Sequence, residues 1–373
     1  MSRDLVFVYD HFYPDYSAGG PVTSLSNLAR LLDDCNIRIL TSDSYYDSGR
    51  KIENIPVNEW TSYNNYTVWY AGSVDSVNRA IDSIKEGSVI YLNGIFSRTF
   101  FLHVLRRSKT RKMDIVISPR GMLQQGALRN KAFKKHIYLS FLKLTGSVKG
   151  ARWHATDEQE RNDIRKHFGP QHDIDVIPNV PRLPATTNVA VKKDPGQLKL
   201  VCFSLISRKK NIGFLVDLLA REKLSGVTLD IVGPVKDKDY WDGCQASIKQ
   251  CNGTVNYLGD RHPNEIIGLL SQYHLFTLPT HGENFGHAIV EAMSAFRPVI
   301  ISEHTPWKDI QPFTGGFSLP LVTSQWIEKL KIARDWSQQD FDKACLGAMN
   351  YFRGKINMSG LRSMYKSLFR AQP

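Results

Sequence analysis

A chain of 373 residues is too long for one ordinary hydrophobic core and suits two domains of common size. With 42% hydrophobic and 23% charged residues it has the composition of a folded globular protein, and five scattered cysteines without CxxC spacing set aside a disulfide framework and a structural zinc. The net charge of +12 is concentrated: residues 101–150 hold twelve Lys or Arg against one Asp, a surface that attracts polyanions.

The first apolar run, Leu5–Tyr9, is of strand length with acidic residues at both ends, so it reads as a strand and not as a signal peptide. No run elsewhere approaches the roughly 20 apolar residues of a spanning helix, and a cytoplasmic location is the expectation. Pro21–Leu32 follows as a helix with Val22, Leu25, Leu28, Leu31 and Leu32 on its apolar face, then strands at Ile37–Thr41, Val89–Asn93 and Ile115–Ser118. Ala127–Leu144 reads as a helix with an apolar stripe (Phe133, Ile137, Tyr138, Phe141, Leu142) and a basic side (Arg129, Lys131, Lys134, Lys135, Lys143). Such a helix suits either a core with a basic solvent face or an anionic membrane surface.

Pro178, Pro181, Pro184 and Pro195 then mark a linker. Beyond it the pattern restarts with a strand at Leu198–Phe203, a helix at Ile212–Leu219 and strands at Val227–Val232 and Leu275–Leu278. A helix over His287–Phe296 and a strand at Val299–Ser302 follow, with closing helices near 340–352 and 359–370. Strands alternating with helices give parallel sheets covered on both faces. The expected fold is therefore α/β, with a Rossmann-like domain over 1–182, a second over 183–345, and helices over 346–373 crossing back to the first.

Ligands of such sheets bind beyond the carboxyl ends of the strands, where the strand order reverses. The most informative stretch lies at one such end, Leu278-Pro-Thr-His-Gly-Glu-Asn-Phe-Gly-His-Ala-Ile-Val-Glu-Ala-Met293. Gly286 allows a close backbone approach where a helix begins, and the free amides of a helix start favour a diphosphate. Glu283 and Glu291 bracket that point. Two carboxylates are poor phosphate ligands and suit neutral sugar hydroxyls. Earlier, Ser207-Arg-Lys-Lys-Asn211 fills the loop after the first strand of this half, where a lysine offsets the charge of a departing phosphate.

The 278–293 stretch resembles the E-x7-E motif of the retaining GT-B glycosyltransferases of family 4, in a bacterial polysaccharide or O-antigen type of group 1. That family's fold is two Rossmann-like domains facing across a cleft. The resemblance implies that Glu283 contacts the donor sugar, that amides near Asn284, Phe285 and Gly286 contact sugar or phosphate, and that Glu291 holds the ribose. Lys210 matches the family's phosphate-gripping lysine. The usual partner arginine is replaced by Leu205, which leaves Arg208 and Lys209 as substitutes, and Phe296-Arg297-Pro298 replaces a common Gly-x-Pro.

In the first half, Gly19-Gly20 joins the first strand to the first helix and matches a loop that closes over donor and acceptor in the family. Ser118-Pro-Arg-Gly-Met122 resembles the polysaccharide subgroup, with Arg120 the candidate for orienting a phosphate or acceptor. The implied activity is metal-independent and cofactor-free. It is a transfer from a UDP- or GDP-sugar to a glycan or lipid-linked acceptor, with residues 101–150 resting on the inner face of the membrane and no nucleic acid as partner. Asp237-Lys-Asp239 matches a metal-binding string of other transferases and reads as chance. The rivals are a non-hydrolysing sugar-nucleotide epimerase of the same plan and a basic nucleic-acid-binding protein, though no RNP, helix-turn-helix or zinc-finger signature accompanies the charge. A dehydrogenase lacks its G-x-G-x-x-G.

Overall fold

The alternating pattern resolves into two sheets, each in its own unit. The computed structural model describes residues 3–15, 19–129, 132–182, 189–251, 253–262 and 265–370. Ser17, Ala18, Lys131 and Pro184 lie outside them. One unit comprises residues 1–180 and 358–373, the other 181–357.

In the first unit, strands β1 (Asp4–Val8), β2 (Asn36–Ser42), β3 (Thr61–Tyr63), β4 (Tyr66–Ala71), β5 (Val89–Asn93), β6 (Asp114–Ser118), β7 (Arg152–Ala155) and β8 (Ile174–Val176) form one sheet. Its order is β3-β4-β2-β1-β5-β6-β7-β8, parallel except for the β3–β4 hairpin. Every residue of β1 and β5 is buried, as strands covered on both faces require. The covering helices are α1 (Gly20–Leu31), α2 (Val74–Asp82), α3 (Val104–Thr110), α4 (Gln125–Arg129), α5 (Ala132–Leu144) and α6 (Glu158–Phe168). The helix expected over 127–144 is thus described as α4 and α5, on either side of residues 130 and 131. The strand order reverses between β1 and β5.

The second unit holds β9 (Leu198–Phe203), β10 (Val227–Val232), β11 (Val255–Tyr257), β12 (Leu275–Leu278), β13 (Val299–Ser302) and β14 (Gly316–Leu319), all parallel in the order β11-β10-β9-β12-β13-β14. This is the 3-2-1-4-5-6 order of nucleotide-binding sheets, with its reversal between β9 and β12. Helices α7 (Ile212–Glu222), α8 (Lys238–Ile248), α9 (Ile266–Leu270), α10 (His287–Ser294), α11 (Thr323–Arg334) and α12 (Gln338–Lys355) flank it. Gly316 must be glycine: its φ is +136° and a Cβ there would lie 2.0 Å from the Val299 carbonyl oxygen.

The helix expected over His287–Phe296 ends at Ser294, because Phe296 turns left-handed (φ 58°) and sends Arg297 inward. Arg297 is 1% exposed and donates to the carbonyls of Leu270, Phe296 and Val189, so the middle residue of Phe296-Arg297-Pro298 is a buried knot of the second unit. Phe341, Cys345, Ala348, Met349 and Phe352 of α12 lie in that unit's core, which keeps the chain there as far as residue 357 and not only to 345. The last helix, α13 (Met358–Phe369), belongs to the first unit, where Tyr365 donates to the Pro178 carbonyl and Arg362 pairs with Asp33 and Asp34.

Candidate active site

The reversal between β9 and β12 brings two loops together, Ser204–Asn211 and Pro279–Gly286. They are stitched at one atom: the Lys209 carbonyl accepts from Thr280 Oγ1 at 3.1 Å and from the His281 amide at 2.8 Å. Asn211 turns left-handed (φ 57°) and launches α7. With both backbones fixed, Lys210 Nζ lies 2.5 Å from Glu283 Oε1, the two side chains being 21% and 8% exposed. A charge-assisted pair so poorly solvated is held firmly.

The basic loop is divided by partner. Arg208 pairs with Asp237 at 3.1 Å and lies 5.7 Å from the centre of the Tyr240 ring, on an exposed side chain. Asp237 also caps α8 by accepting from the Tyr240 amide at 3.0 Å, which gives the first carboxylate of Asp237-Lys-Asp239 a structural task. Lys209 contributes its carbonyl to the stitch and keeps its side chain exposed, and Leu205 is half-buried. Of the three adjacent cations, Lys210 is the one engaged with Glu283.

Beyond Glu283 the chain passes through half-buried Asn284 to Phe285, which is 8% exposed. The Phe285 ring meets Trp307 edge-on at 5.6 Å, and its carbonyl accepts from the Trp307 indole. The Thr305-Pro306-Trp307 triplet thus clamps the point from which α10 starts. Gly286 caps α10 at φ 75°, ψ 59°, and a Cβ there would come within 3.0 Å of Ile289 Cδ1. No side chain caps this end, and a helix start of this kind favours an anion. Glu291 lies on α10 and is half-buried. Burial pushes its carboxyl up to about 7, against a smaller opposing pull from Arg182. Nothing in the sequence pattern pointed to Arg182.

In the first unit, Gly19 (φ 75°) accepts the amides of Val22 and Thr23 and starts α1 ahead of exposed Gly20, with Pro21 in the first turn. Arg120 departs from expectation. Its Nε donates to Asn93 Oδ1 at 2.8 Å, its Nη2 to the Tyr91 hydroxyl at 3.0 Å and its Nη1 to Asn179 Oδ1. Tyr91 in turn bonds His154 Nδ1, whose other nitrogen meets the Ile177 carbonyl, and burial holds that imidazole down at about 3. The next amide, Gly121, donates to the buried Glu160, which also accepts from Thr156. A fork with this many internal partners holds the loop after β6 rather than reaching for a phosphate.

Residues 186–311 match the family described as glycosyl transferases group 1. Among solved structures the chain is similar to a sucrose-phosphate synthase from Thermosynechococcus elongatus, at TM-score 0.71 and 15% identity over 99% of this chain and 98% of that one. It is also similar to Anabaena HepE in complex with UDP and glucose, at TM-score 0.69 and 15% identity over 100% of both chains. WaaG, a glycosyltransferase involved in lipopolysaccharide biosynthesis, follows at TM-score 0.67 and 14% identity over 98% of this chain and 99% of that one. No curated protein is similar enough in sequence to count as a match. At these identities the structural likeness is one of fold, the GT-B fold. With that fold and a group 1 transferase domain over residues 186–311, the chain is a glycosyltransferase, an enzyme that moves a sugar from a nucleotide sugar.

Proposed function

We propose that the chain is a retaining transferase of the family 4 type that moves a sugar from a UDP- or GDP-sugar to a glycan or lipid-linked acceptor in bacterial surface polysaccharide synthesis. The observation that carries this reading is the Lys210–Glu283 pair at the strand-order reversal, beside the uncapped start of α10. Lys210 leaves Glu283 for the diphosphate when the donor enters, Glu283 takes the hydroxyls of the transferred sugar, the α10 amides meet the phosphates, and Glu291 reads the ribose. The leaving-group charge falls to Lys210 and those amides without a metal. Retention follows if the acceptor hydroxyl attacks the anomeric carbon from the face that the diphosphate leaves, its proton passing to a departing phosphate oxygen.

A thermal-shift screen with UDP-glucose, UDP-galactose, UDP-N-acetylglucosamine, GDP-mannose and ADP-glucose tests the reading. A ligand at about 100 times its Kd stabilises the native state by about 2.7 kcal/mol, several degrees in Tm. One nucleotide class is expected to give that rise, and no rise with any of them would sink the proposal.

Peripheral membrane contact belongs to the same reading. Among the described residues no helix is long and apolar enough to cross a membrane. Yet α5 exposes Phe133 (80%), Ile137 (55%), Phe141 (37%) and Leu144 (86%), residues spaced to share one helical face, with Lys134 and Lys143 beside them. Co-sedimentation with phosphatidylglycerol vesicles is expected and should fall by at least about 30-fold in Phe133→Ser/Leu144→Ser, since each of the two buried apolar side chains contributes on the order of 1–2 kcal/mol. Equal binding to phosphatidylcholine vesicles would remove the basic residues from the explanation.

A further inference from the structure

The segment Glu283–Gly286 is braced by the loop that follows β13, wholly within the second unit. Two bonds form the brace. The Glu283 amide donates to the His304 carbonyl at 3.0 Å, and the Trp307 indole N–H donates to the Phe285 carbonyl. Trp307 is 5% exposed and Phe285 8%, so water is a poor substitute for either partner of the second bond. The bracing loop is itself anchored. The Trp307 amide donates to Thr305 Oγ1 at 3.2 Å, and its ring meets the buried Tyr351 ring edge-on at 6.3 Å. Two residues further on, Asp309 accepts from the Tyr351 hydroxyl and pairs with Lys355, both on α12.

A peptide unit is planar and trans, so its N–H points opposite to its C=O. With the Phe285 carbonyl turned toward the buried indole, the Gly286 amide of the same unit points away from it, at the start of α10. Gly286 also packs on that indole, since a Cβ there would lie 3.5 Å from Trp307 Nε1. One side chain therefore sets the rotation of this peptide plane. We propose that Trp307 is a positioning residue of the diphosphate site, its N–H aiming the Gly286 amide at the phosphate next to the departing sugar. This rests on the reading of the α10 start as the diphosphate site and names what fixes its geometry. An amide aimed in advance needs no reorientation when the phosphate arrives. A plane released from Trp307 turns to satisfy its buried carbonyl elsewhere, and the amide turns with it. Trp307 acts through Gly286 and touches no ligand.

The test is calorimetric titration of the full chain with UDP and UMP, and with GDP and GMP. A monophosphate lacks the phosphate in question, so the ratio of the two affinities reads the contact at Gly286. Two variants are compared with wild type: Trp307→Phe, and Trp307→β-(3-benzothienyl)alanine, in which sulfur replaces the N–H in a ring of the same shape. In the second, the Kd of the diphosphate should rise about tenfold while that of the monophosphate stays within about twofold and the unliganded Tm within a few degrees. Trp307→Phe should lose the same ratio at a lower Tm, because it also leaves a cavity. If Trp307→Phe does not fold, the isosteric variant carries the test. A variant that weakens both nucleotides alike makes Trp307 a structural residue and overturns the proposal. An unchanged ratio, or a wild-type chain that binds the diphosphate no better than the monophosphate, overturns it too and leaves nucleotide binding standing. A wild-type chain that binds neither nucleotide overturns the donor site on which the proposal rests.

Discussion

Glu291→Gln is expected to stabilise the unliganded protein above pH 7 and to abolish its response to a nucleotide sugar. The carboxyl titrates near 4.5 in an unfolded chain and is pushed up to about 7 by burial in the native one. A group whose native pKa is raised contributes stability that is present in full below the unfolded value and is lost as pH rises through the native one. At pH 8 the native state therefore carries an unfavourable buried carboxylate, which the amide of the same shape relieves. Complete linkage over this interval would be about 3 kcal/mol. The half-buried setting and the pull of Arg182 reduce it to about 1–2 kcal/mol, or a Tm rise of a few degrees. At pH 5, where the native carboxyl is protonated and only the unfolded one has begun to ionise, the difference should shrink to a minor fraction of that. The ligand response should move the opposite way, because a carboxylate accepts from two ribose hydroxyls and a carboxamide oxygen from one of them with less charge. Melting curves at pH 5 and pH 8, with and without donor, read both effects. A variant that keeps the full donor shift assigns ribose recognition to another residue, and one that melts lower at pH 8 contradicts the burial of the group.

Legibility in the sequence followed burial. Strands covered on both faces are near-continuous apolar runs, and for this reason β5, β12 and β13, buried throughout, and β9 and β10, buried over most of their length, could be bounded at the residues where they occur. The hairpin β3–β4 and the edge strands β8 and β14 carry weaker patterns. Strand β14 opens on Gly316, directly after Gly315, and is followed by Pro320, a string that reads as a loop. The glycine is there because β13 passes too close for a Cβ. Glu283, Gly286 and Glu291 could be located by their spacing along the chain, which a short loop and one helix preserve. Which of Arg208, Lys209 and Lys210 faces Glu283 could not, since that is decided by the Lys209 carbonyl bonding Thr280, 71 residues away, and by Asp237 claiming Arg208. The partners of Arg120 were hidden for the same reason. Its partners Asn93, Tyr91 and Asn179 are 27, 29 and 59 residues away, so a lone arginine in a loop looked available for a ligand.

The Lys210–Glu283 pair should separate stability from catalysis more sharply than any other site. Lys210→Ala leaves a carboxylate that is 8% exposed without its cation. Removing one partner of so poorly solvated a pair costs about 3 kcal/mol, and the loss of the phosphate contact should lower kcat by about 100- to 1000-fold. Glu283→Gln keeps a hydrogen-bonding group of the same shape, and Lys210, which is 21% exposed, can still reach water. Its Tm should therefore fall by no more than a degree or two, while kcat falls by a comparable factor because the amide cannot hold the transferred sugar's hydroxyls as an anion does. The double variant decides between the two roles. With neither charge present, Lys210→Ala/Glu283→Gln should recover most of the melting temperature lost in Lys210→Ala and recover none of the rate. If the pair were only a structural bridge, rate would follow stability and return with it. If rate stays lost while Tm returns, both side chains act on the donor, and the bridge between them is the state of the site that the donor displaces.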